Sequence, residues 1–351
     1  MKIRQRYVGP EGADQDRYWM RRALAQARLA EGATSPNPPV GAMLVKDSKL
    51  LAQGHHKQAG GPHAEISALQ QLDAGGDAKG ATLYVTLEPC STVGRTGACT
   101  QAIIDHGIQR VVFGSVDPNP DHAGHAVSLF EKAGIAVTTG VCVDETDALI
   151  RIFRHWILTK RPYVIAKLGM SLDGRLTRPS EEPAWLTSKA ARRDAQGLRL
   201  QVDAMVEGAE TIRNDDPKLT LRYPQAPSNK RPLKRYVLTR SGDLPKEAHV
   251  FTDEFASETR VIQNATWPNW LDEVGAEGVT SVLLEGGGAS LTEALLAQAV
   301  QEAHFYLAPM VSGGNVRGVQ CVLGDWVALD DTQFSMIGDN VKVAALLNYE
   351  P

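Results

Sequence analysis

The chain has 351 residues, which suits two domains of about 150–200 residues better than one ordinary core. With 43% hydrophobic residues, 22% charged residues and a formal net charge of −4, it reads as a globular enzyme with no general attraction to nucleic acid or an anionic membrane. No apolar run approaches the roughly 18 residues of a membrane span, the N-terminus lacks a signal-peptide core, and four cysteines do not make a disulfide scaffold; a cytoplasmic, reducing compartment is expected.

The first half alternates helix and strand. Residues 16–30 place Met20, Ala23, Leu24, Ala27 and Ala30 on one helical face. The loop Ser35-Pro36-Asn37-Pro38-Pro39 leads into a short strand at 40–45. A helix over 64–72 starts beside His63, and a strand over 82–87 ends beside Pro89-Cys90. A helix at 99–106, a strand at 110–114, a helix at 127–133 and a strand at 136–139 follow. Alternation of this kind predicts an α/β sandwich with a largely parallel core. Residues 144–160 read as one connecting helix, broken by Lys160-Arg161-Pro162, so domains are expected at 14–158 and 162–351.

The second half also alternates, with strands near 163–168, 204–207, 235–238, 260–262 and 281–284. Its tail differs: 304–308, 334–338 and 341–346 read as strands with little helix between them, which predicts antiparallel pairing at one sheet edge. Residues 224–232, rich in Pro, Ser, Asn and Lys, form a surface loop. Cys142 and Cys321 sit in strand-like surroundings and read as buried small hydrophobes.

His63-Ala64-Glu65 is followed, with 25 residues between that His and the Pro, by Pro89-Cys90 and then by Cys99. This is the order of parts in a zinc nucleobase deaminase. Three protein ligands, His63, Cys90 and Cys99, leave one tetrahedral position of Zn²⁺ open for water. Glu65 then carries a proton from that water to the departing amine. The duller reading is a structural zinc site closed by His55 or His56. A run of eight residues separates Cys90 from Cys99, where the general deaminase signature has two.

No Gly-x-Gly-x-x-Gly fingerprint occurs in the second half. A strand at 282–284 instead runs into Glu285, Gly286, Gly287 and Gly288, with a helix beginning near Ser290. Glycines there let backbone approach a pyrophosphate, and the helix start offers free N–H donors. A flexible connection is the alternative.

Taken together, these motifs carry a resemblance. Pro36-Asn37-Pro38-Pro39-Val40-Gly41, Gly60-Gly61-Pro62-His63-Ala64-Glu65, Thr86-Leu87-Glu88-Pro89-Cys90 and Asp117-Pro118-Asn119-Pro120 stand in the first half. Arg161-Pro162-Tyr163-Val164, Ser171-Leu172-Asp173-Gly174-Arg175, Trp185-Leu186-Thr187-Ser188, Asp215-Asp216-Pro217 and the glycine run stand in the second. Over nearly its whole length the chain resembles the bifunctional deaminase–reductases of riboflavin biosynthesis. The resemblance implies a cytidine-deaminase-like three-layer α/β sandwich joined to a dihydrofolate-reductase-like α/β domain. It implies zinc hydrolysis of the 2-amino group of a phosphoribosylated diaminopyrimidine, then NADPH reduction of its ribosyl group to a ribityl chain.

The same resemblance assigns residues. Asn37, His56 and Arg95 would contact the deaminase substrate, with His56 reaching a phosphate or the sugar. Lys167, Arg199, Leu219, Arg222 and Glu285 would contact the reductase substrate, the two arginines as a phosphate clamp. Gly169, Trp185, Thr211, Asp215 and Arg240 would meet NADPH, Arg240 at its 2′-phosphate. The turn Gly287, Gly288, Ala289, Ser290 and Leu291 would complete that cofactor site. A homo-oligomer, dimer or tetramer, is also implied. Thr92 and Pro183 depart from the family by replacing polar residues, which opens an alternative substrate in a pteridine-like or azapteridine pathway. A nucleic-acid deaminase is disfavoured by the acidic balance, and a non-catalytic pyrimidine-binding subunit by the complete metal and proton-shuttle set.

Overall fold

The computed structural model describes residues 12–72, 76–91, 98–120, 122–178, 185–223, 226–320 and 326–349. They fall into two compact units, one of residues 1–159 with 227–229, the other of residues 160–226 with 230–351.

In the first unit, α1 (Ala13–Arg28) precedes the hairpin β1 (Gly41–Lys46) and β2 (Lys49–His55). Then come α2 (Ala64–Gln70), β3 (Thr82–Leu87), α3 (Cys99–Asp105), β4 (Arg110–Ser115), α4 (His125–Lys132) and β5 (Ala136–Thr138). The sheet order is β2-β1-β3-β4-β5. The pairings β1–β2 and β1–β3 are antiparallel, whereas β3–β4 and β4–β5 are parallel, so this sheet is mixed rather than largely parallel. The reason is β2, which the sequence reading missed: its outer half is exposed, and Lys49, Leu50 and Leu51 give no alternation to detect.

Strand alternation builds the three layers. Met43, Val45, Tyr84 and Val112 face α1 through Trp19, Met20 and Ala23. Ala42, Leu44, Leu83, Val85, Val111 and Phe113 face the other way, onto Ala64, Ala68, Ile103 and Phe130 of α2, α3 and α4. Two glycines make these layers unusually close. A Cβ on Gly41 would lie 2.0 Å from the Ala23 carbonyl oxygen, and one on Gly54 would lie 2.4 Å from the Ala68 nitrogen. Backbone therefore packs on backbone, and α2 is fixed against the hairpin.

The expected connecting helix is two helices, α5 (Val143–Leu149) and α6 (Arg151–Thr159), which break at Ile150. Cys142 is not in a strand: it precedes α5 in a left-handed conformation, half-buried, with φ 56°. Cys321 lies outside the described residues.

The second unit contains β6 (Tyr163–Ser171), α7 (Lys189–Gln201), β7 (Ala204–Gly208), α8 (Ala209–Asp215) and β8 (Lys234–Thr239). It continues with α9 (His249–Thr252), β9 (Thr259–Gln263), α10 (Trp267–Ala276), β10 (Ser281–Leu284) and α11 (Ala289–Leu296). The tail is β11 (Glu302–Ala308), β12 (Ala328–Ile337) and β13 (Asn340–Asn348). The order is β12-β13-β11-β6-β10-β7-β8-β9. The strands from β11 to β9 pair in parallel, and β13 and β12 add antiparallel at one edge, as the sequence predicts. The core joins Val164, Ala166, Val206, Val282 and Leu284 to Trp267, Trp270 and Leu291.

This order creates a switch point. From β7 the chain runs outward to β8, whereas from β10 it runs the other way, past β6, to β11. A crevice opens where neighbouring parallel strands send their connections to opposite sides, beyond the carboxyl ends of the strands. Here that place lies between Gly208 and Glu285. No helix among the described residues is long and apolar enough to cross a membrane.

The Gly54 contact yields a test. Gly54→Ala should destabilise the first unit by about 1–3 kcal/mol through overpacking, and should lower zinc content by displacing α2 and His63. An unchanged calorimetric melting temperature together with full metal occupancy would show that the helix yields without cost.

Candidate active sites

The first site forms where α2 and α3 begin. His63 immediately precedes α2, Cys99 is the first residue of α3, and Cys90 follows β3 on the connecting loop. His63 Nδ1 lies 3.5 Å from Cys90 Sγ and 3.3 Å from Cys99 Sγ, and all three donor atoms fall within 4.8 Å of one another. A tetrahedral zinc with ordinary Zn–N and Zn–S bonds has an N···S edge of about 3.6 Å. The donor set therefore fits zinc in chemistry and in spacing. The backbone N–H of Cys99 donates to Cys90 Sγ at 3.4 Å, as a helix start favours thiolate. Hydrogen bonding from Cys99 also draws the Cys90 thiol below its ordinary value, while the same contact and burial push Cys99 up.

Glu65 lies in the first turn of α2, 3% exposed and in hydrogen-bonding contact with Cys99. Burial pushes its carboxyl up to about 7, against the pull of His63. A group poised near neutrality can both accept and return a proton. Glu88 fixes the loop on the other side, accepting from the backbone nitrogens of Asp117 (3.2 Å), Gly124 (3.0 Å) and Ala126 (3.0 Å). The Asp-Pro-Asn-Pro turn is thereby tied to the residue that precedes Pro89-Cys90.

His56 is placed differently from the expectation of a phosphate or sugar contact. It is 2% exposed and both ring nitrogens are engaged. Its Nδ1 lies 3.0 Å from the Pro62 carbonyl oxygen, which can only accept, so Nδ1 carries the proton. Nε2 is then an acceptor and takes the Asn37 Nδ2 donor at 3.0 Å. The His56 ring also meets the His63 ring edge-on at 5.4 Å. Burial lowers the His56 pKa, in keeping with a neutral ring. His56 thus orients Asn37, whose Oδ1 is left as the free acceptor of that amide, and braces the ligand His63. Arg95 and Thr92 lie outside the described residues.

The second site surrounds the switch-point crevice. Lys167 comes from β6, Glu285 follows β10, and Arg199 comes from α7. Arg199 Nε and Nη2 form a fork on Glu285 at 2.6 and 2.8 Å, and Nη1 donates to the Thr220 carbonyl oxygen at 2.7 Å. Lys167 Nζ lies 3.5 Å from the same carboxylate. Burial raises the Glu285 pKa, but Lys167 and Arg199 prevail and hold it down to about 2. Arg199 is 6% exposed with its fork taken, so it is not the open phosphate clamp the sequence suggested; it positions Glu285. Arg222 is exposed and stays available for an anion. Leu219 has its side chain buried and a φ of 49°, which leaves its backbone as the part able to meet a ligand.

The glycine run has a packing role as well as an open one. A Cβ on Gly287 would lie 2.1 Å from Leu176 Cδ1, and one on Gly288, at φ 59°, would lie 2.5 Å from Gln320 Nε2. Gly288 leads into α11 with no side-chain cap, so the N–H groups of Ala289, Ser290 and Leu291 remain for a phosphate. The Leu291 side chain itself is in the core. Gly169 approaches Thr187, and Gly208 approaches Ser290 across the crevice. Thr211 and Asp215 lie on α8, which starts there. Trp185 is 72% exposed with Arg192 stacked 4.9 Å from its ring, and Arg240 is exposed and paired with Glu293 of α11. An uncapped helix start at a glycine turn fits the phosphates of a dinucleotide. Pro183 lies outside the described residues.

Sequence reasoning missed Glu207, at the end of β7. It is 3% exposed, and its Oε2 is buried with no hydrogen-bond partner. The one signal was a charge ending the apolar strand Ala204-Met205-Val206.

The His56 geometry makes a prediction. His56→Ala should keep zinc and lower kcat/KM for deamination about tenfold or more, since removing a hydrogen bond that orients a substrate contact costs about 1.5 kcal/mol. His56→Gln, which can still donate to Pro62 and accept from Asn37, should recover part of it. The loss should be equal for phosphorylated and dephosphorylated substrates; a loss seen with the phosphorylated one alone would return His56 to the phosphate.

Comparison with known proteins matches both halves. The cytidine and deoxycytidylate deaminase zinc-binding region matches residues 13–115, and the RibD C-terminal domain matches residues 162–343. The riboflavin biosynthesis protein RibD of Bacillus amyloliquefaciens is 36% identical over 362 residues, covering 94% of this chain and 96% of that protein. The structure of Acinetobacter baumannii RibD superposes with a TM-score of 0.86 at 30% identity, covering 96% of this chain and 100% of that one. The Thermotoga maritima diaminohydroxyphosphoribosylaminopyrimidine deaminase/5-amino-6-(5-phosphoribosylamino)uracil reductase superposes with a TM-score of 0.85 at 30% identity, covering 96% and 99%. These matches favour riboflavin biosynthesis over the pteridine-like alternative. The protein is a bifunctional enzyme, a zinc-dependent deaminase and an NADPH-dependent reductase. With both halves matched in order, the chain belongs to the RibD family of riboflavin-biosynthesis deaminase–reductases.

Proposed function

We propose that residues 14–158 hydrolyse the 2-amino group of 2,5-diamino-6-(5-phosphoribosylamino)pyrimidin-4(3H)-one and that residues 162–351 reduce the ribosyl group of the product to a ribityl chain. The observation that carries the deaminase assignment is the convergence of His63, Cys90 and Cys99 within 4.8 Å, with Glu65 buried in the first turn of the helix that His63 precedes. Zinc, when bound there, supplies the Lewis acidity that makes water a nucleophile at neutral pH. Glu65 takes the proton from the attacking water and returns it to the amine, which leaves as ammonia. Asn37, oriented by His56, offers an acceptor to an N–H or O–H of the substrate.

In the second unit, NADPH supplies the hydride. Glu285, held ionised by Arg199 and Lys167, accepts hydrogen bonds from the sugar hydroxyls, and Arg222 meets the phosphate. Thr211, Asp215, Trp185 and the turn from Gly287 to Leu291 hold the cofactor in the crevice between β7 and β10. The enzyme acts on a small molecule. We further propose a cytoplasmic homo-oligomer, dimer or tetramer. Phe334 and Met336, 72% and 64% exposed on the edge strand β12, support self-association, and the cysteine ligands suit a reducing compartment.

Glu65→Gln should retain zinc by metal analysis yet lose ammonia release by about 10²–10⁴-fold, because the proton carrier goes and the ligands stay. Cys90→Ser should lose both metal and activity. Near-normal ammonia release from Glu65→Gln would refute the assignment. Light scattering should give a mass at least twice the 38.0 kDa of one chain, and fractionation should place the protein with cytoplasmic enzymes; a monomer would refute the assembly.

A further inference from the structure

The reduction needs a proton as well as a hydride. Opening the ribosyl ring breaks the C1′–O4′ bond, O4′ takes a proton, and the lone pair of the attached nitrogen forms a C1′=N iminium. Hydride from NADPH then adds to C1′, the iminium pair returns to nitrogen, and NADP⁺ leaves. The sum is one hydride and one proton consumed, with no base released to regenerate the proton. Some group in the crevice must hold that proton at neutral pH.

Two carboxyls stand there in contrasting settings. Glu285 has a fork from Arg199 at 2.6 and 2.8 Å and Lys167 at 3.5 Å, so it is an ionised acceptor. Glu207 ends β7, beside β10 in the sheet, where Val206 pairs with Leu284. Both local cations are committed to Glu285. Glu207 is 3% exposed, its Oε2 has no partner, and a Cβ on Gly286 would lie 2.9 Å from that oxygen. Its carboxyl therefore sits against the glycine turn at the switch point, with an unspent polar atom at the place where a parallel sheet binds its ligand. We propose that Glu207 is a catalytic residue of the reductase, the neutral carboxylic acid that donates the proton to O4′ as the ring opens. This rests on the reading of the second unit as the ribosyl reductase.

The electrostatics agree. Burial, reinforced by Glu285, pushes the Glu207 carboxyl up to about 8, against the pull of Lys167, the Thr211 hydroxyl of α8 and Arg199 of α7. Two carboxyls whose environments drive them apart divide into an acid and an anion. The sign follows: a donor raised in this way is protonated and active below about pH 8 and is lost above it. Once the proton has left, the longer-range pull of Lys167 and Arg199 offsets part of the repulsion from Glu285.

The test substitutes Glu207→Gln, close in shape but without a proton to give. Reduction of the deaminated substrate should fall about 10²-fold or more, ammonia release should be unchanged, and the alkaline loss of wild-type reductase activity should disappear from the residual rate. Glu207→Asp should keep more activity than Glu207→Gln. Independently of turnover, infrared spectra of the cofactor-free protein at pH 7 should show a protonated-carboxyl band that is absent from Glu207→Gln. Wild-type kcat and pH profile in Glu207→Gln would overturn the proposal, as would an ionised Glu207 at pH 7. Absence of NADPH-dependent reduction in the wild type would instead fault the reading beneath it, and the infrared result would still decide the state of Glu207.

Discussion

The backbone contact between α2 and the β1–β2 hairpin is the constraint on which the first unit depends. At Gly54 the helix lies so close that a single methyl group has no room, and Gly41 imposes the same closeness on α1 from the opposite face. That closeness fixes the start of α2, and the start of α2 carries both His63 and Glu65. Cys90 and Cys99 arrive from the end of β3 and the start of α3, on a loop that Glu88 ties to Asp117, Gly124 and Ala126. A metal site needs donor atoms placed within a few tenths of an ångström. Here the placement comes from helix starts packed on a sheet, where rigid elements meet.

The second unit solves a similar problem with charge. Glu285 is a largely buried carboxylate, and burying a charge is unfavourable unless it is paired and hydrogen-bonded. Arg199 and Lys167 supply the pairing, and the Thr220 carbonyl oxygen accepts from the third Arg199 nitrogen. The fork therefore serves the protein before it serves a ligand, which is why Arg199 is not open to phosphate. The same allocation leaves Glu207 with no cation of its own. Two neighbouring glutamates thus acquire opposite characters from one pair of cations.

Both units use the junction between a strand's carboxyl end and a helix's amino end. At that junction backbone N–H groups are unspent, and side chains from distant segments converge. In the first unit the groups gathered there bind a metal; in the second they line a crevice with an uncapped helix start at Gly288. The two chemistries differ in their ligands while sharing this local geometry.

The three donors that converge near α2 and α3, the alternating elements and the antiparallel tail were legible in the sequence. Zinc and proton transfer restrict the residue types and their spacing, and strands and helices carry their own periods. The sequence did not reveal β2, whose exposed outer half has no alternation, or the break at Ile150 between α5 and α6. Nor did it disclose which polar groups pair. His56 meets Asn37 and Pro62 because β2 brings it back beside that loop, and Arg199 and Lys167 meet Glu285 because β10 inserts between β6 and β7. Strand order and register set such pairings, and no local pattern encodes them. The chain by itself determined which chemistry is present; the tertiary structure decided which side chains are free to perform it, because burial and partnership are properties of the assembled sheet.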